Sequence, residues 1–253
     1  MPTSFFDLPR ELRDRVYDFV WEDSALFELH QDRVCSSFAT YPSGFGLPIP
    51  TAKPKWLLTN KAFLLEGLSQ FRRGGYIELA YQDLTPIDLP FPRRQPLLLL
   101  PSNVRDLRVF IESYSEQSGN NFVCYLAPLH LRNLDRQLRS ANAHNTLRKL
   151  KVEITIHVSQ AGFYPQSKIL AGLTFVLVRV LPILDQFEFS IRYKTKSWMS
   201  RCLVHTALCF EVDDLDTVIE REWSKSAKHI KRVLYDPQNQ DDWRDTEWKW
   251  SKV

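Results

Sequence analysis

Glycine is scarce, with eight in 253 residues, and the few present do not form a phosphate cradle. Gly44-Phe45-Gly46 lies among prolines and Gly74-Gly75 leads into Tyr76-Ile77-Glu78-Leu79. Nucleotide binding by backbone amides is therefore disfavoured. Four cysteines, Cys35, Cys124, Cys202 and Cys209, are scattered without the framework of a disulfide-stapled domain, which implies free thiols in a reducing compartment. The opening residues Met1 to Asp7 carry no basic stretch followed by an apolar core, so no secretory signal is expected and the expected location is cytoplasmic or nuclear. The longest apolar run, Ile169 to Leu184, is broken by Gly172, Thr174, Arg179 and Pro182. It is too short and interrupted to cross a bilayer, and no membrane partner is expected.

Charge of one sign is also lacking. A formal net charge of +3 with mixed signs gives no reason to expect nucleic acid, since Lys149, Lys151 and Glu153 read as the solvated face of one strand. Chemistry-bearing motifs are absent as well. His30, His130, His144, His157 and His229 are dispersed, and no Gly-x-Ser-x-Gly occurs. Cys202-x-x-His205-x-x-x-Cys209 has ligand-like spacing, but a structural zinc site needs four ligands. In an extended segment these side chains would scatter to different faces, so they read as buried thiols. No catalytic residue, cofactor or metal is assigned, and the expectation is a chain that is not an enzyme.

At 44% hydrophobic the chain can bury a real core, as one domain or as a small module fused to a larger one. Its most organised stretch is Phe5 to Val20. Pro9 fits the first position of a helix, where a missing N–H costs nothing, and Glu11 suits the positive end of the helix dipole. Leu12, Val16, Phe19 and Val20 recur at helical spacing as one apolar stripe that must dock on a partner or on the chain itself, while Arg10, Arg13, Asp14 and Asp18 can stay in water.

Leu8-Pro9-x-Glu11-Leu12-Arg13-x-x-Val16-Tyr17 resembles the opening of the F-box-like domains of filamentous fungi. The block Trp56 to Leu68, with Thr59-Asn60-Lys61 and Glu66, is similar to the next helix of those domains. The resemblance covers roughly the first third of the chain, and some three dozen residues separate the two blocks where an ordinary F-box continues almost at once. It implies that the Leu-Pro helix contacts a Skp-type adaptor of a cullin-RING ubiquitin ligase through Leu8, Pro9, Leu12 and Val16. The remainder of the chain would then select an unidentified protein substrate.

Beyond the first helix, the turn-rich region Asp23 to Pro54 reads as a long connection holding a short hairpin around Leu26 to Cys35. A second helix is predicted from about Thr59 to Phe71, ended by Gly74 and Gly75. The proline-rich segment Asp83 to Pro101 suggests a boundary, which divides the chain into 1–82, an F-box-like module, 83–235, an α/β repeat-like domain, and 236–253, a Trp-rich acidic tail expected to dock on its own domain. In the second unit Leu107–Ile111, Leu150–Ile156 and Phe187–Tyr193 alternate apolar and polar residues as half-buried strands. Helices are predicted between them, at Leu129 to Ser140 and Gln166 to Leu181, so that successive strands begin about 40 residues apart. A last helix is predicted from about Asp213 to Val233, capped by Asp213 and closed by Lys228, Lys231 and Arg232.

Strand–helix alternation implies parallel strands joined by right-handed crossovers. The fold class is therefore α/β, a leucine-rich-repeat-like layer of parallel strands and helices, on which the F-box-like helical module that the resemblance implies is packed. In such a layer Arg108, Phe110, Lys151, Glu153, Glu188, Ser190 and Arg192 share one face, a candidate surface for a partner. The alternative keeps the fold and makes the Leu-Pro helix purely structural, in a non-ligase scaffold or binding protein.

Overall fold

The structure, a computed structural model, describes residues 4–23, 26–31, 35–41, 59–81, 104–118, 121–157, 166–167, 169–194, 198–224, 230–235 and 246–252. Its helices are α1 (Arg10–Asp23), α2 (Lys61–Gly74), α3 (Pro128–His144), α4 (Ile169–Leu177) and α5 (Trp198–Trp223). Its strands are β1 (Leu26–Gln31), β2 (Ser36–Thr40), β3 (Tyr76–Tyr81), β4 (Asp106–Ser118), β5 (Asn121–Leu126), β6 (Lys149–His157), β7 (Gln166–Ser167), β8 (Gln186–Lys194), β9 (Ile230–Tyr235) and β10 (Thr246–Lys252).

The strands join one sheet in the order β1-β2-β3-β4-β6-β8-β10-β9, with β5 and β7 as a side branch. β3, β4, β6 and β8 are mutually parallel, while antiparallel strands extend the sheet at both ends. Strand order follows chain order through the parallel part, so right-handed crossovers put successive helices on the same face. Contacts agree with that placement. Phe71 of α2 lies against Tyr41, His130 of α3 against Tyr81, and Asp216 of α5 accepts from the Trp250 indole; α4 packs between α3 and α5.

Strand sequences explain the one-sided cover. Leu107, Val109 and Ile111, Leu150, Val152 and Ile154, and Phe187, Phe189 and Ile191 are all buried, while their alternate neighbours are polar apart from Phe110. A sheet buried on both faces would need near-continuous apolar strands instead.

Several expectations are corrected. Residues 166–181 do not form one helix: Gln166 and Ser167 pair with β5, α4 ends at Leu177, and Leu181–Ile183 is a 3-10 turn before β8. Pro182 cannot continue a helix. The last helix runs from Trp198 to Trp223, so Asp213 lies in its interior rather than at its cap, and Lys231 and Arg232 belong to β9. Cys202, His205 and Cys209 therefore follow one another in a helix, not an extended segment; their side chains lie outside the described ones. β4 continues well past Ile111 and folds back as a hairpin with β5.

Two more placements bear on the organisation. Tyr76–Tyr81 lies inside the sheet, because β2 pairs with it on one side and β4 on the other. The sheet thus runs across residue 82. Thr246–Lys252, from the segment read as a tail, inserts between β8 and β9, where Trp248 stacks on Phe189 and Trp250 on Phe187. Trp243, the parts of the predicted connections at 42–54 and 83–101, and Trp56 to Leu58 of the second F-box-like block lie outside the described residues.

Candidate functional site

The opening segment is built around α1 and α2. Ser4 and Asp7 cap a 3-10 turn over Phe5–Asp7, and Asn60 caps α2 by accepting from the Ala62 amide. Phe5 stacks on Phe63 at 4.9 Å and meets Tyr17 edge-on at 5.6 Å. Trp21 is fully buried, with its indole N–H donating to the Gly67 carbonyl at 2.9 Å and its ring edge-on to Phe71 at 4.8 Å.

Most of the remaining α1–α2 contacts are polar. Arg13 grips Glu66 with two parallel bonds of 3.0 Å, from Nε to Oε2 and from a terminal nitrogen to Oε1. Arg10 reaches the same carboxylate at 3.1 Å and the Tyr17 hydroxyl donates to it at 3.3 Å. Burial, then the charge of Glu66 and that hydrogen bond, push the Tyr17 phenol up to about 12. Asp14 pairs with Arg10 at 2.7 Å and with Arg73 at 2.9 Å, and Asp18 accepts from Tyr41 and Gln70.

The charged side of α1 is therefore the one turned toward its own chain. Arg10, Arg13, Asp14 and Asp18, expected in water, tie the helix to its own chain. Leu12, Val16 and Phe19 point outward and are 47%, 43% and 71% exposed, while Val20 is half-buried. The reason is that Tyr17 and Trp21 recur on the opposite side, bury more apolar area than the aliphatic residues, and bring with them charges that find partners on α2. Pro9 is exposed and Leu8 partly so. Leu8, Pro9, Leu12 and Val16 thus all retain solvent access, joined by Phe19 and by Leu65 of α2, which the sequence reading did not include among the site residues.

The second candidate surface is the polar face of the sheet. Registers bring its predicted members together: Arg108, Lys151 and Glu188 form one row, Phe110, Glu153 and Ser190 the next, and Arg192 follows beside Thr155. β10 adds Glu247, 3.0 Å from Lys151, and Lys249, 2.7 Å from Glu188. Arg192 pairs with Glu153 at 3.2 Å, and the Arg108 guanidinium lies 3.5 Å over the Tyr76 ring. The face is less open than expected. Phe110 is half-buried and Ser190 is buried.

Electrostatics differ across this face. Burial pushes the carboxyls of Glu78 and Asp106 above the ordinary range, against the pull of Arg108. At Glu188 burial also pushes upward, but hydrogen bonds from Lys249 and Gln186 and the charges of Lys249 and Lys151 outweigh it, and the carboxyl lies below its ordinary value. Among the described residues no group of three or more His, Cys, Asp or Glu is placed to hold a metal ion, and no helix is long and apolar enough to cross a membrane.

No family model matches the chain, and no curated protein matches it. One solved structure does: a Streptococcus mutans protein described as a methyltransferase, in complex with SAH. It is 15% identical, with 60% of this chain and 79% of that one covered, at a TM-score of 0.27. The neighbour is described as an enzyme, so the expectation that this chain is not an enzyme does not stand; a likeness this low gives no argument for a reaction either.

Proposed function

We propose that this protein is a recognition module of the F-box-like kind, in which the Leu-Pro helix engages a Skp-type adaptor of a cullin-RING ubiquitin ligase. The α/β layer, read as leucine-rich-repeat-like, holds the protein to be modified. Leu8, Pro9, Leu12 and Val16 meet the adaptor. Arg108, Phe110, Lys151, Glu153, Glu188 and Arg192 contribute to the substrate face.

The observation that carries this reading is the outward stripe of α1. A helix that turns charges inward and apolar residues outward forgoes part of the about 1.5–3 kcal/mol that full burial of each large side chain would give, the share set by how much of it stays exposed. A partner covering Leu12, Val16 and Phe19 recovers that energy. Sparse singly exposed apolar residues need no explanation, but three at helical spacing on one face of α1 form a patch of the kind that marks interaction sites.

The test is capture of a recombinant fungal Skp-type adaptor by wild type and by Leu12→Asp/Val16→Asp. Because both side chains are solvent-facing, the double variant is expected to keep its melting temperature within a few degrees and to lose adaptor. No capture by wild type, or equal capture by both, removes the ligase reading.

A further inference from the structure

Arg13 connects three segments that are remote in sequence or direction. Its fork holds Glu66 of α2. Its other terminal nitrogen donates to the carbonyl of Phe6 at 3.0 Å and of Leu8 at 2.6 Å. The turn that these carbonyls belong to ends at Leu8 and hands the chain to Pro9, whose own carbonyl accepts from the amides of Leu12 and Arg13. The guanidinium therefore lies behind the Leu8-Pro9 corner, on the side away from the exposed stripe, and only 16% of the Arg13 side chain is exposed.

We infer that Arg13, locked by Glu66, is the positioning residue of the proposed adaptor edge. It fixes the Leu8-Pro9 corner at a set height and angle relative to Leu12 and Val16, so that the four side chains meet a partner as one preorganised surface. This inference rests on the adaptor reading of that surface. The geometry demands arginine specifically: a planar fork can bind both carboxylate oxygens while a further nitrogen reaches two carbonyls. Lysine keeps the charge but offers a single point, and would leave either Glu66 or the turn without its donor. Preorganisation matters because an interface that must order a loose segment on binding loses affinity to that ordering.

Three variants separate positioning from mere helix–helix bridging: Arg13→Lys, Glu66→Gln, and the swap Arg13→Glu/Glu66→Arg. The swap rebuilds an ion pair between α1 and α2 but leaves the Phe6 and Leu8 carbonyls without a donor from α1. Native-state hydrogen exchange reads the corner at the Leu8 and Leu12 amides, and the sheet at Val109, Val152 and Phe189. Titration with the recombinant adaptor reads the surface.

For Arg13→Lys and for the swap, exchange at Leu8 and Leu12 is expected to accelerate at least tenfold. The three sheet amides should be unchanged and adaptor affinity should fall at least tenfold. Unaltered exchange at the corner in Arg13→Lys, or restoration of both exchange and affinity by the swap, overturns the inference. If wild type binds no adaptor, the ligase reading fails on that arm alone, and the exchange arm still decides whether Arg13 holds the corner.

Discussion

Trp21→Ala and Phe19→Ser, two residues apart on one helix, should have opposite consequences. Trp21 is fully buried, with its ring against Phe71 and its N–H on the Gly67 carbonyl. Truncating a buried aromatic to alanine costs about 3–5 kcal/mol, part of it from the cavity left behind. For a chain of this size each kcal/mol moves the melting temperature by roughly 2–4 °C, so the midpoint should fall by about 6–20 °C. Phe19 is 71% exposed, and phenylalanine and serine have similar helix propensities. Its replacement should stay within about 0.5 kcal/mol of wild type. Thermal and urea denaturation followed by circular dichroism measure both. A loss above about 2 kcal/mol for Phe19→Ser, or a neutral Trp21→Ala, would mean that α1 faces the other way and that no apolar stripe is available to a partner.

Two carboxylates on the sheet's polar face should respond to pH in opposite senses. The Glu78 carboxyl is raised by burial, so its penalty is absent below the ordinary carboxylate range and grows as pH rises through the raised value. Glu78→Gln should therefore stabilise the protein near about pH 7.5 and change nothing near about pH 3. Glu188 is lowered, so its contribution is present above the ordinary range and lost as pH falls through the folded value. Glu188→Gln should destabilise at neutral pH and converge on wild type in acid; urea midpoints across pH test both, and parallel curves would refute the assignment. At the other end of the chain, Trp250→Ala should cost about 3–5 kcal/mol, because Trp250 is fully buried between Phe187 and Asp216. A dispensable tail would instead leave the urea midpoint unchanged.

The parallel strands were legible because their sequences alternate. Leu150-Lys151-Val152-Glu153-Ile154 has one possible inward face, and the observed register of β4, β6 and β8 puts Leu107, Leu150 and Phe187 in one row. Elements whose identity depends on distant pairing were not. Nothing local marks Gln166-Ser167 as a strand, since it exists only by pairing with Val123 and Cys124. Ile230–Tyr235 alternates weakly and follows a strongly helical stretch, so helical periodicity was carried past its end; β10, with its tryptophans on the helix-covered face, is what makes that segment a strand. Glu66 shows the same limit at the level of a site. It is 53 residues from Arg13, and no spacing rule connects them.

On α1 the charges face the chain's own residues rather than water, and hydropathy alone does not show it. Hydropathy ranks Leu12, Val16 and Phe19 above Tyr17 and places Arg13 and Asp18 last, so amphipathicity alone turns the helix by about half a turn. A helix free to choose would bury its more apolar side. The observed side is held by Trp21 and Tyr17, whose polar tips find the Gly67 carbonyl and Glu66, and by the paired charges around them. Arg13 and Glu66 are part-buried, and removing one of them leaves the other's charge unpaired, which is costly even where the pair itself adds little to stability. The polar contacts therefore act chiefly on orientation: they make the inward roll of α1 expensive and leave Leu12, Val16 and Phe19 uncovered in the isolated chain. An isolated domain gains the burial of Trp21 and Tyr17 from that arrangement. A domain that met a partner along this helix would gain further, because its contact residues are already in place and need no rearrangement when the surface is covered.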